Sequence, residues 1–205
     1  IYHGADHLRE LKDDNLKIFP DELLKKYKVP ENYMLTVGFT MKHKNILSAI
    51  QCLNKLINLG HDINLVIAGP IGDDEKNIAN YIDKLGVKER IIRIYFVDLA
   101  DLPYLYHYSK FFLFPSAYEG FGFPILEAMR SGAIVIGNRA GSIPEIGGNA
   151  AVYFNSKDID DMVQKCEDVL SNKINNNQLR INGYKRAKFF TWKKVARETV
   201  GFFEE

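Results

Sequence analysis

Six short runs rich in Val, Ile, Leu, Phe and Tyr punctuate the chain: Tyr33–Val37, Ile63–Ala68, Ile91–Val97, Phe111–Phe114, Ala133–Ile136 and Ala151–Phe154. They are near-continuous rather than alternating. A strand with one wet face alternates apolar and polar residues, so these runs read as strands covered on both faces. Covering both faces needs helices above and below the sheet, and helical spacing lies between the runs. Ile46, Ala49, Ile50, Leu53, Leu56 and Ile57 follow it, as do Ile78, Tyr81, Ile82 and Leu85, ended by Gly86. The alternation predicts an α/β fold: a Rossmann-like, doubly wound parallel sheet of about six strands flanked by helices. After Phe154 the pattern turns helical, over Asp158–Leu170, Asn175–Phe189 and Thr191–Phe203, with an Asn-rich turn between the first two. The opening residues are too few for a βαβ unit, which needs about 30 residues. Residues 1–32 are expected to be an incoming strand, a linker and one helix, Asp21–Tyr27; a chain that opens mid-fold suggests a fragment or a partner domain elsewhere. Residues 33–205 are expected to form the domain itself.

Composition narrows the function classes. Net charge is +1, from 27 basic and 26 acidic residues, which gives no nucleic-acid footprint. No run approaches the ~20 apolar residues of a membrane span, and the start is not patterned as a signal peptide. Cys52 and Cys166 lie in helical patterns and are expected as buried free thiols of a cytoplasmic protein. The net charge does not decide whether a longer protein touches a membrane. The five histidines show no metal-ligand spacing.

In open parallel sheets ligands bind beyond the carboxyl ends of strands, near helix N-termini. Three strand-to-helix turns draw attention. In "VGFTMKHKN", Gly38 ends a strand and Asn45 is placed to cap the next helix. Lys44 then stands beside a helix N-terminus, where a point charge suits phosphate; a solvated loop lysine explains it as well. The spacing is not that of a Walker loop. In "SAYEGFGFPILEAM", Pro124 fits the first turn of a helix beginning near Phe123. Gly120 and Gly122 permit unusual backbone and close approach. The amides of Gly122, Phe123, Ile125 and Leu126 are candidates to face a ligand. Glu119 and Glu127 lie near the same strand end and suit the hydroxyls of a sugar. Helix capping by Ser116 and Glu119, and a first-turn acid at Glu127, are the structural alternatives. In "NRAGSIPEIGG", Ser142 and Glu145 have capping-box spacing, and Arg139 reads as a surface residue. Asp158 and Asp160 spell a D-x-D at a helix start, which capping explains better than a metal pair.

Taken together, these segments resemble the C-terminal domain of the retaining glycosyltransferases of family four, also called group 1. "YMLTVGFTMKHKN" is similar to that family's first strand and phosphate-lysine loop, and "LVIAGPIG" to its second strand. The stretch from "IYFVDLADLPYLYHYSK" through "SAYEGFGFPILEAM" to "AAVYF" is similar to its nucleotide-sugar site, and "FTWKKVARETVGFF" to its terminal helix. The resemblance implies one half of a GT-B fold. It also implies transfer of a hexosyl group from a UDP- or GDP-sugar to an acceptor, with retention and without a metal cofactor. Glu119 and Lys44 are then the catalytic residues, Glu119 toward the donor sugar's hydroxyls and Lys44 toward the diphosphate. Glu127 is implied to hold the ribose. Gly38 and the backbone of Gly120, Phe121, Gly122, Phe123, Pro124 and Ile125 line the sugar and diphosphate. The loop from Val97 to Leu102 approaches the base. Many members carry an arginine just after the first-loop glycine, where this chain has Phe39. The missing N-terminal domain is implied to bind the acceptor, which leaves the isolated domain inefficient in transfer.

Two other readings remain at this level: a GT-B relative of different chemistry, such as a phosphorylase or nucleotide-sugar epimerase, and a non-catalytic nucleotide-sugar-binding module. No distinctive motif for a phosphorylase's cofactor lysine is visible. The joint presence of Lys44, Glu119 and Glu127 speaks against the non-catalytic module.

Overall fold

The computed structural model describes residues 2–7 and 20–204. Helix α1 (Pro20–Tyr27) precedes β1 (Tyr33–Val37), α2 (Ile46–Asn58), β2 (Asn64–Ala68) and α3 (Glu75–Leu85). Then come β3 (Ile91–Ile94), α4 (Leu102–Tyr108), β4 (Phe111–Phe114), α5 (Phe123–Arg130) and β5 (Val135–Asn138). The chain continues through α6 (Ile143–Gly147), β6 (Val152–Phe154), α7 (Ile159–Leu170), α8 (Asn176–Ala187) and α9 (Trp192–Glu204). The six strands form one parallel sheet in the order β3-β2-β1-β4-β5-β6. This is the doubly wound arrangement expected from the apolar runs. Among the described residues, no helix is long and apolar enough to cross a membrane.

Alternation along each strand divides the core in two. Leu35, Val66, Phe112 and Val135 meet α4, α5 and α8 on one face. Met34, Leu65, Phe111 and Ile136 meet α2, α3 and α7 on the other. Both faces are dry, which is why the sequence runs are continuous. Cys52 on α2 and Cys166 on α7 are buried free thiols with their Sγ atoms 3.7 Å apart. Burial pushes the Cys166 thiol well above its usual range, so it stays protonated and unreactive.

Some boundaries differ from those expected. The third strand stops at Ile94, because β2, its only neighbour among the described residues, ends opposite it at Ala68. Tyr95 and Phe96 therefore leave the ladder and stand exposed. The fifth strand runs Val135–Asn138 rather than from Ala133, whose amide instead donates to Ala128 O in the turn closing α5. Residues 2–5 form no strand; the remainder of the expected linker, 8–19, lies outside the described residues. Ala5 and Val29 are buried in the same core as Leu35 and Phe112.

One polar cluster ties the loops at the carboxyl edge. Arg93 Nη1 donates to the carbonyls of Ile67 (3.1 Å), Gly69 (2.7 Å) and Ile94 (3.1 Å). Its Nε and Nη2 reach Glu75 Oε1 and Oε2 at 3.0 and 3.1 Å. The Thr40 hydroxyl donates to the same carboxylate and accepts the Gly72 amide at 2.7 Å. The loops after β1 and β2 are thereby locked together.

Leu113 is fully buried at the centre of β4. Leu113→Ala is expected to cost about 2–5 kcal/mol in chemical denaturation, from lost transfer energy and the cavity left behind. The Arg93 guanidinium holds the Glu75 carboxyl below its ordinary range. Stability from that pair is therefore full above the unfolded carboxylate pKa of about 4.3, and is lost as pH falls through the lower folded value. Glu75→Gln should destabilise by on the order of 1 kcal/mol at neutral pH. The difference from the unsubstituted chain should shrink as denaturation is repeated at progressively lower pH below about 4.

Candidate active site

The strand order reverses between β1 and β4, so the helices that follow them pack on opposite faces of the sheet. The loops leaving these two strands diverge and frame a crevice, the position where doubly wound folds bind ligands. The candidate donor-site residues lie on these two loops, on the loop after β3, or in the helices α4 and α5 that follow.

Gly38 follows β1 with φ 141° and donates its amide to Ala68 O at 2.9 Å. The chain then makes a single 3-10 turn, Lys42–Lys44, before α2. Asn45, expected to cap α2, has φ 54° and makes no side-chain cap. Its left-handed backbone turns the side chain away: Oδ1 accepts from Ser48 Oγ at 2.7 Å, and Nδ2 donates to Pro115 O at 3.3 Å. Asn45 thus joins the β1 loop to the β4 loop. The Ala117 amide reinforces that junction, donating to His43 O at 2.7 Å.

Lys44 crosses the crevice. Its Nζ lies 2.7 Å from Glu119 Oε1 and 5.5 Å from the centre of the Phe114 ring. The two side chains are only 16% and 12% exposed, respectively. Low exposure strengthens the pair and makes either charge costly if stranded without its partner. Lys44 is therefore not a solvated loop lysine. Glu119 does not serve a capping box either: among the described residues Ser116 Oγ is buried with no partner, and no helix starts there.

Beyond Glu119 the turn depends on one glycine. Gly122 has φ 100°, a conformation side chains rarely adopt, and precedes α5, which carries Pro124 in its first turn. Gly120 is not in that region, and a side chain there would meet open space. The Ile125 amide is consumed by Gly122 O at 3.0 Å. The amides of Gly120, Phe121, Gly122 and Phe123 make no backbone hydrogen bond among the described residues. They provide donors at a helix N-terminus, which favours an anion.

The Phe121 and Phe123 rings meet edge to face with centres 5.0 Å apart, and both lie against His3 of the N-terminal segment. Ser142, expected to begin a capping box with Glu145, makes no cap. Its hydroxyl lies 3.0 Å from Glu119 O and 2.9 Å from Phe121 O, stapling the Glu119 turn from below. Glu145 instead accepts from Tyr2 OH at 2.6 Å. The local pattern was misleading because the tertiary acceptors compete for the same hydroxyl.

Glu127, the fifth residue of α5, is 14% exposed and already has two partners. Tyr106 OH is 3.1 Å from Oε2, and His7 Nε2 is 2.9 Å from Oε1. Burial first, and then Glu127 itself, push the Tyr106 phenol well above its usual range, so it remains a donor. Neither partner was legible beforehand. His7 is 120 positions away, and Tyr106 sits in an aromatic run explained by helix burial.

Val97 and Leu102 line an apolar cavity of about 220 Å³ with Val37, Gly69, Pro70 and Phe96, at the ends of β1, β2 and β3. Helix α1 secures this loop: Lys26 Nζ lies 2.5 Å from Asp98 and 2.6 Å from Asp101, and Tyr27 OH donates to Asp101 at 2.8 Å. Phe39 is 53% exposed beside the first loop. Arg139 is exposed over the Tyr153 ring. Asp158 caps α7 by accepting from the amides of Asp160 and Asp161, which accounts for the D-x-D.

The profile of the glycosyl transferases group 1 family matches residues 21–186. The serotype-specific mannosyltransferase WbdA of Escherichia coli is 29% identical over 99% of this chain. The O-antigen chain mannosyltransferase B of the same species is 30% identical over 89% of it. The chain spans 24% and 48% of these two relatives, respectively. Among solved structures, Anabaena Alr3699/HepE in complex with UDP and glucose superposes with a TM-score of 0.77. It is 18% identical, and the match covers 88% of this chain and 51% of that one. The sheet and its flanking helices are those of GT-B glycosyltransferases. With the family profile covering most of its length, the chain belongs to the group 1 glycosyl transferases.

Proposed function

We propose that this chain is the donor-binding domain of a retaining, metal-independent hexosyltransferase that uses a nucleoside diphosphate sugar. The observation that carries this reading is the partly buried Lys44–Glu119 pair, which spans the crevice at the strand reversal. A pair at that place, beside amides at a helix N-terminus, matches a ligand carrying both an anion and hydroxyl groups. The apolar cavity at Val97 and Leu102 suits a planar base, and Glu127 suits the ribose between base and diphosphate.

In this reading the diphosphate takes Lys44 from Glu119. The ammonium then sits where negative charge grows as the sugar–phosphate bond breaks, and the fixed amides of the 120–123 turn share that role. Glu119, released, accepts hydroxyl donors from the hexose and holds its anomeric carbon toward the open side of the crevice. Departure and attack on the same face retain the configuration. Glu119 is then a positioning and stabilising group rather than a covalent nucleophile. The names of the relatives point to mannose as the first hexose to test. Because those relatives are about twice and four times as long as this chain, a further domain is proposed to supply the acceptor.

Calorimetry with UDP, GDP and ADP and their hexose derivatives, with and without divalent metal, tests the assignment. One nucleoside diphosphate is expected to bind without metal. Lys44→Ala should weaken it about 10- to 100-fold, the range of a lost charge-assisted hydrogen bond. Glu119→Gln should reduce the extra affinity contributed by the hexose while leaving the bare nucleotide nearly unchanged. Failure of every nucleotide to bind, or indifference to Lys44→Ala, rules the assignment out.

A further inference from the structure

The N-terminal segment contributes more than a connection. Residues 2–7 are pinned along the outside of the Glu119–Glu127 turn. Tyr2 OH donates to Glu145 at 2.6 Å, the Ala5 amide donates to Phe190 O at 2.9 Å, and Asp6 Oδ1 accepts the Trp192 amide at 2.9 Å. Ala5 is fully buried, and a side chain at Gly4 would collide with the Trp192 backbone. The His3 ring sits 5.0 Å from Phe121 and 5.4 Å from Phe123. With residues 2–6 fixed at so many points, the residue that follows them is delivered to one place. That residue is His7, and its Nε2 lies 2.9 Å from Glu127 Oε1.

Glu127 is therefore gripped from two sides. Tyr106, wholly buried and kept protonated, donates to Oε2 from inside the fold. His7, 40% exposed, meets Oε1 at the surface. A carboxylate only accepts, so Nε2 carries the proton in this contact. A carboxylate has about four lone-pair sites, and the two donors occupy one on each oxygen. One remains on each, in a plane the donors have set. That leaves a bidentate acceptor suited to a vicinal diol, at the place the donor reading gives to the ribose.

We propose that His7 is a positioning residue of the nucleotide site, which with Tyr106 fixes the Glu127 carboxylate in the orientation that reads the ribose hydroxyls. The proposal rests on the donor-site reading above. It extends the site from the crevice loops to a segment more than 100 positions upstream of the residue it orients.

Ribose recognition is measured as the ratio of affinities for a ribonucleotide and its deoxy analogue. The 205-residue chain is titrated with UDP, 2′-deoxy-UDP, GDP and 2′-deoxy-GDP, as the unsubstituted protein and as Glu127→Gln, His7→Ala and His7→Gln. The unsubstituted chain should prefer the ribonucleotide about tenfold or more, the effect of a charge-assisted hydrogen bond. Glu127→Gln should remove most of that preference. His7→Ala should cut it about three- to tenfold while affecting the deoxy compounds little. His7→Gln, whose amide places a donor near the position of Nε2, should restore it. A merely structural role for His7 would lower both affinities together and leave the ratio unchanged, overturning the proposal. A preference lost in Glu127→Gln but intact in His7→Ala overturns the His7 role alone. No ribose preference in the unsubstituted chain overturns the Glu127–ribose assignment and the His7 role with it, whereas no nucleotide binding overturns the donor-site reading as a whole.

Discussion

The reversal of strand order between β1 and β4 is the constraint from which the rest of the molecule follows. A parallel sheet needs a helical crossover after each strand, and its direction decides which face that helix covers. β1 sends α2 to one face and β4 sends α5 to the other, so their connecting loops part and cannot fill the space between them. The crevice is a consequence of topology, and side chains then specialise it. Asn45 and Ala117 bind the two loops together at the base of the gap, and the Lys44–Glu119 pair bridges it above. Arg93 and Glu75 hold the neighbouring loop after β2 in place.

The charged groups of the crevice are matched before any ligand arrives. Lys44 has Glu119, and Glu127 has Tyr106 and His7. A partly buried ion without a partner is expensive, so this pairing stabilises a site whose residues would otherwise raise the energy of the fold. In the proposed donor reading, a ligand would bind by exchange at Lys44, where a diphosphate would have to offer at least what Glu119 offers. A ribose would need only the lone pairs that Tyr106 and His7 leave unused on Glu127. The two acids of the Glu119–Glu127 block would then differ in kind, Glu119 changing partner and Glu127 held still.

Much of this fold was legible in the sequence because burial on both faces leaves a strong mark. Tyr33–Val37 and Phe111–Phe114 are strands at the expected bounds, since each is flanked by neighbours on both sides. The run Ile91–Val97 continues past the end of its strand at Ile94 because an edge strand lasts only as long as the strand beside it, and no local signal carries that information. At the site, the closeness of Lys44 and Glu119 to one strand reversal followed from the alternation of elements. Their direct pairing did not, because it depends on side chains reaching across a gap. Ser142 and Asn45 both have the spacing of helix caps, but Ser142 turns to the carbonyls of Glu119 and Phe121, and Asn45 divides between Ser48 Oγ one turn on and Pro115 O across the crevice. His7 and Tyr106 gave no signal at all, since their meaning lies in an acid 120 and 21 positions away.

The most direct measurement is a crystal structure of the chain bound to an intact nucleoside diphosphate hexose. Lys44 Nζ is expected to have left Glu119 and to lie within hydrogen-bond distance of the diphosphate. Glu119 should accept from hexose hydroxyls, Glu127 from the ribose with Tyr106 and His7 still in place, and the base should fill the cavity beside Val97 and Leu102. A diphosphate seated away from Lys44, or both acids engaged on the same sugar ring, would contradict this division of roles.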